Sequence, residues 1–252
     1  MNKTIASISA FAVLGGSSLS AQWVPTAAEL SVTSDITFAS EYVFRGVEAA
    51  DHSFQPSVEV SMGDFYAGLW TNLPTGDGLT EIQYYGGLSV AVPDFPELVL
   101  DVGFTVNHWP DQSLRRSHEA FLGTKVRDFG VEGVSASLYY FYDFDVRSHV
   151  VEGSVGYSFP LEEFGLAASL DASATYGLQS GSSIKGGLDN PIRVARVQEN
   201  YHYYGFSLEM PFHLNQNSTV TGGVHYYTAE KLNGDWGRGQ NLFWTISYTA
   251  GF

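Results

Sequence analysis

The stretch Asn241-Leu-Phe-Trp-Thr-Ile-Ser-Tyr-Thr-Ala-Gly-Phe252 decides the fold. Leu242, Trp244, Ile246, Tyr248, Ala250 and Phe252 fall on one face of an extended strand. Asn241, Thr245, Ser247, Thr249 and Gly251 fall on the other, with Phe243 the one large exception. Side chains alternate across a strand, so one face is apolar and the other small and polar. A soluble sheet packed on a core also alternates in this way. Two things separate the readings: aromatics near both ends of the apolar face, and recurrence of the pattern along the chain.

The pattern recurs. Residues 36–46 set Ile36, Phe38, Tyr42 and Phe44 against Thr37, Ala39, Glu41, Val43 and Arg45. Residues 57–62 and 65–72 alternate on either side of Gly63-Asp64, a two-residue hairpin turn. Alternating runs follow at 81–92, 98–109, 134–144, 149–159 and 166–176, and at 202–210 and 220–228. The run at 119–126 is less regular, and 177–199 has no period and reads as a long loop. With the terminal stretch this makes about twelve strands, an even number within the range of closed membrane barrels.

Loop lengths sort by parity. The odd connections are mostly long: 47–56, 73–80, 110–118, 177–199 and 229–240, with only the one around Asp145 short. The even ones are short: 63–64, 93–97, 127–133, 160–165 and 211–218. A β-sandwich has no reason to do this, whereas a transmembrane barrel carries long external loops and short periplasmic turns. The expected fold is therefore an all-β, closed antiparallel transmembrane barrel.

Composition agrees. The 252 residues are 44% hydrophobic and carry a formal charge of −15, and mean hydropathy is close to zero. That is too polar for a bundle of membrane helices and suits strands of which only alternate residues meet lipid. The absence of Cys excludes a disulfide scaffold and thiolate chemistry. Lys3, the apolar run 5–14 and the small residues 15–21 predict an export signal cut near Ala21, leaving 22–252 as the barrel. No other stretch approaches about 18 uninterrupted apolar residues, so insertion must use strands.

Particular blocks carry a family resemblance. Glu41-Tyr-Val-Phe-Arg-Gly46, then Gln55-Pro56, then Phe65-Tyr-Ala-Gly-Leu-Trp70 resemble the Gcw_chp or TorF-type family of bacterial outer-membrane porins. So do Glu81-Ile-Gln-Tyr-Tyr-Gly86, Trp109-Pro110 with Glu119 after it, and Glu152-Gly-Ser-Val-Gly-Tyr157. The resemblance implies an outer-membrane barrel with a channel role and brings no established substrate or catalytic residues. The terminal aromatic strand also resembles the signal by which such barrels engage the assembly machinery, through Phe252.

If the apolar faces meet lipid, the polar faces line a lumen. Its expected acids are Glu41, Glu59, Glu81, Asp101, Glu119, Asp143, Glu152, Asp171 and Glu209, and its expected bases only Arg45 and Lys125. Buried charges must pair or stay hydrated, so the surplus of acids implies either water inside or hydrogen bonds from Tyr and Ser in a plugged lumen. Both alternatives stand, because a barrel of this size lies between filled barrels of about 8 strands and open porins of about 16. Arg115, Arg116, Arg147, Lys185, Arg193, Arg196, Lys231 and Arg238 gather with Arg45 at the expected external end. They suit contact with outer-leaflet phosphates, a rim that attracts anions, or simple tolerance of charge in loops.

The function expected is passive diffusion of small hydrophilic solutes with a preference for cations. The competing readings are a plugged structural barrel and a lipid-modifying enzyme of the outer membrane. An enzyme needs a Ser beside a His that a third group orients. His149 and His202 stand at a usable height on the apolar face without an obvious partner set. No spacing suggests a metal or cofactor, and no basic stripe suggests nucleic acid. Tyr42, Phe44, Tyr84, Tyr140, Tyr142, Tyr204, Tyr226 and Trp244 are expected in an external lipid girdle. Phe65, Tyr157, Phe159, Phe212, Tyr248 and Phe252 are expected in the periplasmic one. Arg at Leu100 or Leu170 should be costly, and Ser at the lumen position Gly103 should cost little.

Overall fold

The computed structural model describes residues 30–110, 116–185, 195–198, 200–231 and 241–252. The expected signal at 1–21 lies outside the described residues, as do Arg115, Arg193 and Arg238. The strands in chain order are β1 (Leu30–Ala39), β2 (Tyr42–Phe44), β3 (Val47–Ala50), β4 (Ser53–Met62) and β5 (Phe65–Pro74). Then come β6 (Glu81–Val92), β7 (Phe95–His108), β8 (Arg116–Arg127), β9 (Val134–Asp143) and β10 (Ser148–Pro160). The last are β11 (Ser169–Lys185), β12 (Ala195–Gln198), β13 (Tyr201–Asn215), β14 (Ser218–Lys231) and β15 (Asn241–Gly251).

Twelve of these strands form one closed antiparallel ring, in the order β1, β4 to β11, β13, β14 and β15. β15 closes it against β1, from Thr33 opposite Gly251 to Ala39 opposite Thr245. Closure leaves no unpaired edge in the wall, which is the condition for strands to cross hydrocarbon. β12 pairs with the end of β11 beyond the ring, so the chain from 177 to 185 is strand where the sequence suggested loop. Its Gly and Ser content hid the pairing.

The exterior is apolar all round. On β7, Leu100, Val102 and Phe104 are exposed while Asp101, Thr105 and Asn107 on the opposite parity are buried. The same alternation exposes Val60 on β4, Leu122 on β8, Val155 on β10, Leu208 on β13 and Ile246 on β15. A soluble monomer seldom exposes an apolar patch beyond a few hundred Å². This surface is one that lipid covers, and the protein is a transmembrane β-barrel. Tyr84, Tyr140 and Trp244 project outward near the end with the long loops, and Phe65, Tyr157, Phe159 and Phe252 near the other.

Inside, aromatic side chains lie on glycines of the next strand. Tyr85 covers Gly68, Phe121 covers Gly103, Tyr139 covers Gly123, Tyr203 covers Gly177 and Tyr227 covers Gly205. In each case the two residues are direct cross-strand partners. A ring can lie flat on the wall only where its partner has no side chain, so these pairs fill the lumen and fix the register. Phe121 is why 119–126 looked irregular: it points inward on a face otherwise read as polar. Phe243 does the same on β15, stacked on His225 at 4.9 Å between centroids.

The structure corrects one strand. Residues 36–46 are not a single wall strand, because β1 ends at Ala39 and β2 with β3 makes a separate hairpin inside the ring. Tyr42, expected in the lipid girdle, is 1% exposed and packs with Ala49 and Ala50 inside. Phe44 packs against the same cluster. A hairpin alternates as a wall strand does, so the pattern alone did not separate them.

Candidate functional site: the lumen and its inward hairpin

The hairpin turns at Arg45-Gly46, flanked by the Phe44–Val47 pair. Both turn residues have positive φ, 50° and 76°, as the tight two-residue turns that match strand twist require. Gly46 is needed on a second count. A Cβ there would lie 2.6 Å from the Tyr203 Cβ and 2.7 Å from the Thr228 carbonyl oxygen, so the turn touches β13 and β14 with bare backbone. Asn241 on β15 donates to the Gly46 carbonyl at 3.5 Å. At its base the hairpin is held by the loop after β5. Leu79 N–H donates to the Ala49 carbonyl at 3.0 Å and Asp51 N–H to the Asp77 carbonyl at 2.9 Å.

Arg45 extends from this turn to β8. Its two terminal nitrogens donate to the two Glu119 oxygens, each at 3.0 Å. Its guanidinium lies 5.0 Å from the Phe141 ring centroid and 4.8 Å from that of Phe44. Arg45 is 4% exposed and Glu119 2%, so the pair is screened little by solvent. Val47 packs on a cluster that includes Phe121, Phe141, Val150 and Tyr203. The hairpin thus crosses the lumen at the end with the long loops and narrows it.

The other expected lumen residues take these places. Glu41 is half-buried in the link between β1 and β2, at the mouth and not on the wall. Glu81 accepts from Tyr42 at 3.1 Å and Gln83 at 2.9 Å. Asp101 accepts from Tyr66 at 2.8 Å and Tyr139 at 2.7 Å, with Lys125 at 3.6 Å. Glu59 accepts from Tyr85 at 3.1 Å and Glu152 from Tyr203 at 2.5 Å. Asp171 accepts from Ser158 at 2.6 Å. Asp143 accepts the backbone N–H groups of Asp145 and Val146, which holds the turn into β10. Glu209 lies 3.9 Å from His225 Nε2. The acids therefore rest largely on tyrosine and serine hydroxyls. Which Tyr serves which acid depends on register between strands. Sequence parity could therefore place Tyr66, Tyr85 and Tyr139 inside, though not Tyr42, and could assign none of them to its acid.

Between hairpin and wall lies a void of about 70 Å³, lined by Arg45, Glu81, Asn107, Trp109, Glu119, Asp143 and Tyr201 among others. It can hold a few waters or a small polar solute. Among the described residues, Arg45 Nε and Asn107 Oδ1 are buried without a hydrogen-bond partner. No group of three or more His, Asp or Glu there could hold a metal ion.

A family model described as "Bacterial protein of unknown function (Gcw_chp)" matches residues 24–183. The chain belongs to the Gcw_chp family. The match takes in the hairpin, Glu119 and most of the wall. Among curated proteins none matches this Gcw_chp chain. Several solved barrels share its fold. The KdgM porin has a TM-score of 0.53 at 9% identity, covering 88% of this chain and 99% of its own. The NanC porin has 0.52 at 11%, covering 86% and 98%. An outer membrane channel from Pseudomonas putida has 0.51 at 8%, covering 91% and 97%. This Gcw_chp chain has the fold of an outer-membrane barrel.

Proposed function

We propose that this barrel is an outer-membrane channel through which small hydrophilic solutes diffuse passively, with a preference for cations. The observation that carries this is the inner surface. Glu59, Glu81, Asp101, Glu119, Asp143, Glu152, Asp171 and Glu209 face inward against Arg45 and Lys125. Rings of carboxylates favour cations in a narrow pore. The exposed Arg116 and Arg147 near the long-loop end can draw anions to the mouth, but charges on wet loops are screened more than those inside.

A lumen of this sign disfavours polyanions such as the oligogalacturonate described in complex with the KdgM porin, so the shared fold does not carry over that cargo. The export signal at 1–21 and recognition of Phe252 by the assembly machinery belong to the same reading. The Phe252 ring is 79% exposed while its backbone pairs with Val32, which leaves the ring free to be bound. For the enzymatic alternative, His149 is bonded to Tyr140 at 2.6 Å and His202 to Tyr176 at 3.3 Å. These contacts fit polar tips at the headgroup level. Ser207 does meet His225 at 2.9 Å, but the other ring nitrogen meets Thr245 at 2.9 Å and the set is buried in the lumen.

Proteoliposome swelling tests the proposal. Small polyols and ammonium salts should enter faster than into protein-free vesicles, and large sugars should not. Equal rates with and without protein would contradict it.

A further inference from the structure

The wall around Glu119 has the form of a receptor for a cation, and the same chain fills it. The paired contact between Arg45 and Glu119, with a ring near the guanidinium, is the arrangement that suits a planar, delocalised cation. The receiving half belongs to β8 and β9 and does not depend on the hairpin. Glu119 and Asp143 are direct cross-strand partners on the inner face, and like charges so placed repel. Arg45 bonds Glu119, and Asp143 lines the same void as the pair. If the hairpin withdrew with nothing in its place, Glu119 would be left buried beside Asp143 without its cation, which is strongly unfavourable.

A second observation points to a ligand. Asn107 is 6% exposed, lines the void beside the ion pair, and has an Oδ1 without a donor among the described residues. Arg45 Nε lacks an acceptor on the same void. A carbonyl oxygen next to two carboxylates calls for a positively charged solute rich in N–H groups.

We infer that the lumen wall around Glu119, Asp143 and Asn107 binds a solute bearing a guanidinium or primary ammonium group, and that Arg45 is an internal occupant which such a solute displaces. The inference deepens the channel reading and rests on it for its purpose, since the solute binds on its way through. Its chemistry stands on the wall alone. The hairpin and the solute exclude one another, so a permeating cation unlocks the constriction that blocks it. Of the two groups a guanidinium fits better, because it repeats the fork and the flat face of Arg45.

Isothermal titration of methylguanidinium chloride into detergent-solubilised Arg45→Ala protein tests the site, with sodium chloride at matched ionic strength as reference. Saturable one-to-one binding is expected. Adding Glu119→Gln should weaken it by roughly 30-fold or more, as loss of one partner of a buried charge pair implies. Wild type should bind more weakly than Arg45→Ala, because Arg45 competes. Arg45→Gln replaces the Ala variant if the latter lacks the heat-dependent gel shift of a folded barrel. Folded protein that shows no saturable binding, or binding indifferent to Glu119→Gln, overturns the inference. Bilayer current from the same samples separates the two claims. A protein that conducts without binding methylguanidinium keeps the channel and loses the site, and one that binds without conducting keeps the site and loses the channel.

Discussion

Arg45 and Glu119 lie 74 positions apart in sequence and meet through two hydrogen bonds of 3.0 Å. In the ring, four strands, β4 to β7, separate β1 from β8 one way round and six, β15, β14, β13, β11, β10 and β9, the other. The contact therefore pins a hairpin that starts at one side of the barrel to nearly the opposite side. The hairpin sets the width of the lumen, and most of what can be tested follows from its position.

Gly46→Val should expel the hairpin. The residue needs a positive φ of 76° and has the Tyr203 Cβ and the Thr228 carbonyl within 2.7 Å of any Cβ, so a β-branched side chain fails on both counts. The wall should still form, with a normal heat-dependent gel shift, and conductance should rise above wild type. Unchanged conductance would mean that the turn does not limit the lumen.

The aromatic–glycine pairs make a second test. Alanine at Gly103 or Gly123 would drive a methyl into the ring of Phe121 or Tyr139, and overpacking of this kind costs about 1–3 kcal/mol. Gly103→Ser should be costly for the same reason, against the expectation from its place on a polar face. Gly222 has nothing within 4 Å of a Cβ, so Gly222→Ala should stay within about 0.5 kcal/mol of wild type. Urea unfolding in lipid vesicles would measure the three. Similar costs at all three positions would refute the packing argument.

The wall was legible in the sequence because alternation and loop parity both report on a closed ring. The lumen was legible only in part. Parity put Arg45 and Glu119 on inner faces, yet nothing in the sequence says that 42–50 folds in and brings them together. Gly46 permits the positive φ of the turn, but it lay at the end of a run that alternates like wall. Phe121 and Phe243 looked like faults for a related reason. What each packs on, Gly103 and His225, stands on a neighbouring strand, and pattern along one strand carries no register with the next.

Lipid facing gives a third prediction. Leu100 is 50% exposed and Leu170 38% on the outer surface. Arg at Leu100 should cost about 2–4 kcal/mol, as for charges placed near the bilayer midplane. Leu170 pairs with Phe159 at the periplasmic end, not mid-membrane as expected, so Arg there should cost only about 0–1 kcal/mol. Unfolding titrations in vesicles should show the loss, and a cost at Leu100 below that of a lumen Ser-to-Ala change would mean that the faces are reversed.

Acidification should narrow the channel. Burial raises the carboxyl pKa of Glu41, and Asp51 adds to it. Burial raises that of Glu48 also, with Glu41 and Asp51 adding to it. A pKa raised in the folded state contributes stability at low pH that is lost as pH rises through it. At neutral pH these acids therefore repel at the base of the hairpin, and on protonation the base tightens. Conductance and cation preference should both fall as pH drops toward the carboxylate range. Glu41→Gln with Glu48→Gln should flatten that dependence, and a profile that the double change leaves alone would remove these residues from the mouth.

The most direct measurement is the reversal potential of purified protein in a planar bilayer under a potassium chloride gradient. The acid-lined lumen predicts a potential of the sign set by potassium, reduced when Glu81→Gln and Asp143→Asn are combined. A potential of the sign set by chloride, or no current even from Gly46→Val, would contradict it.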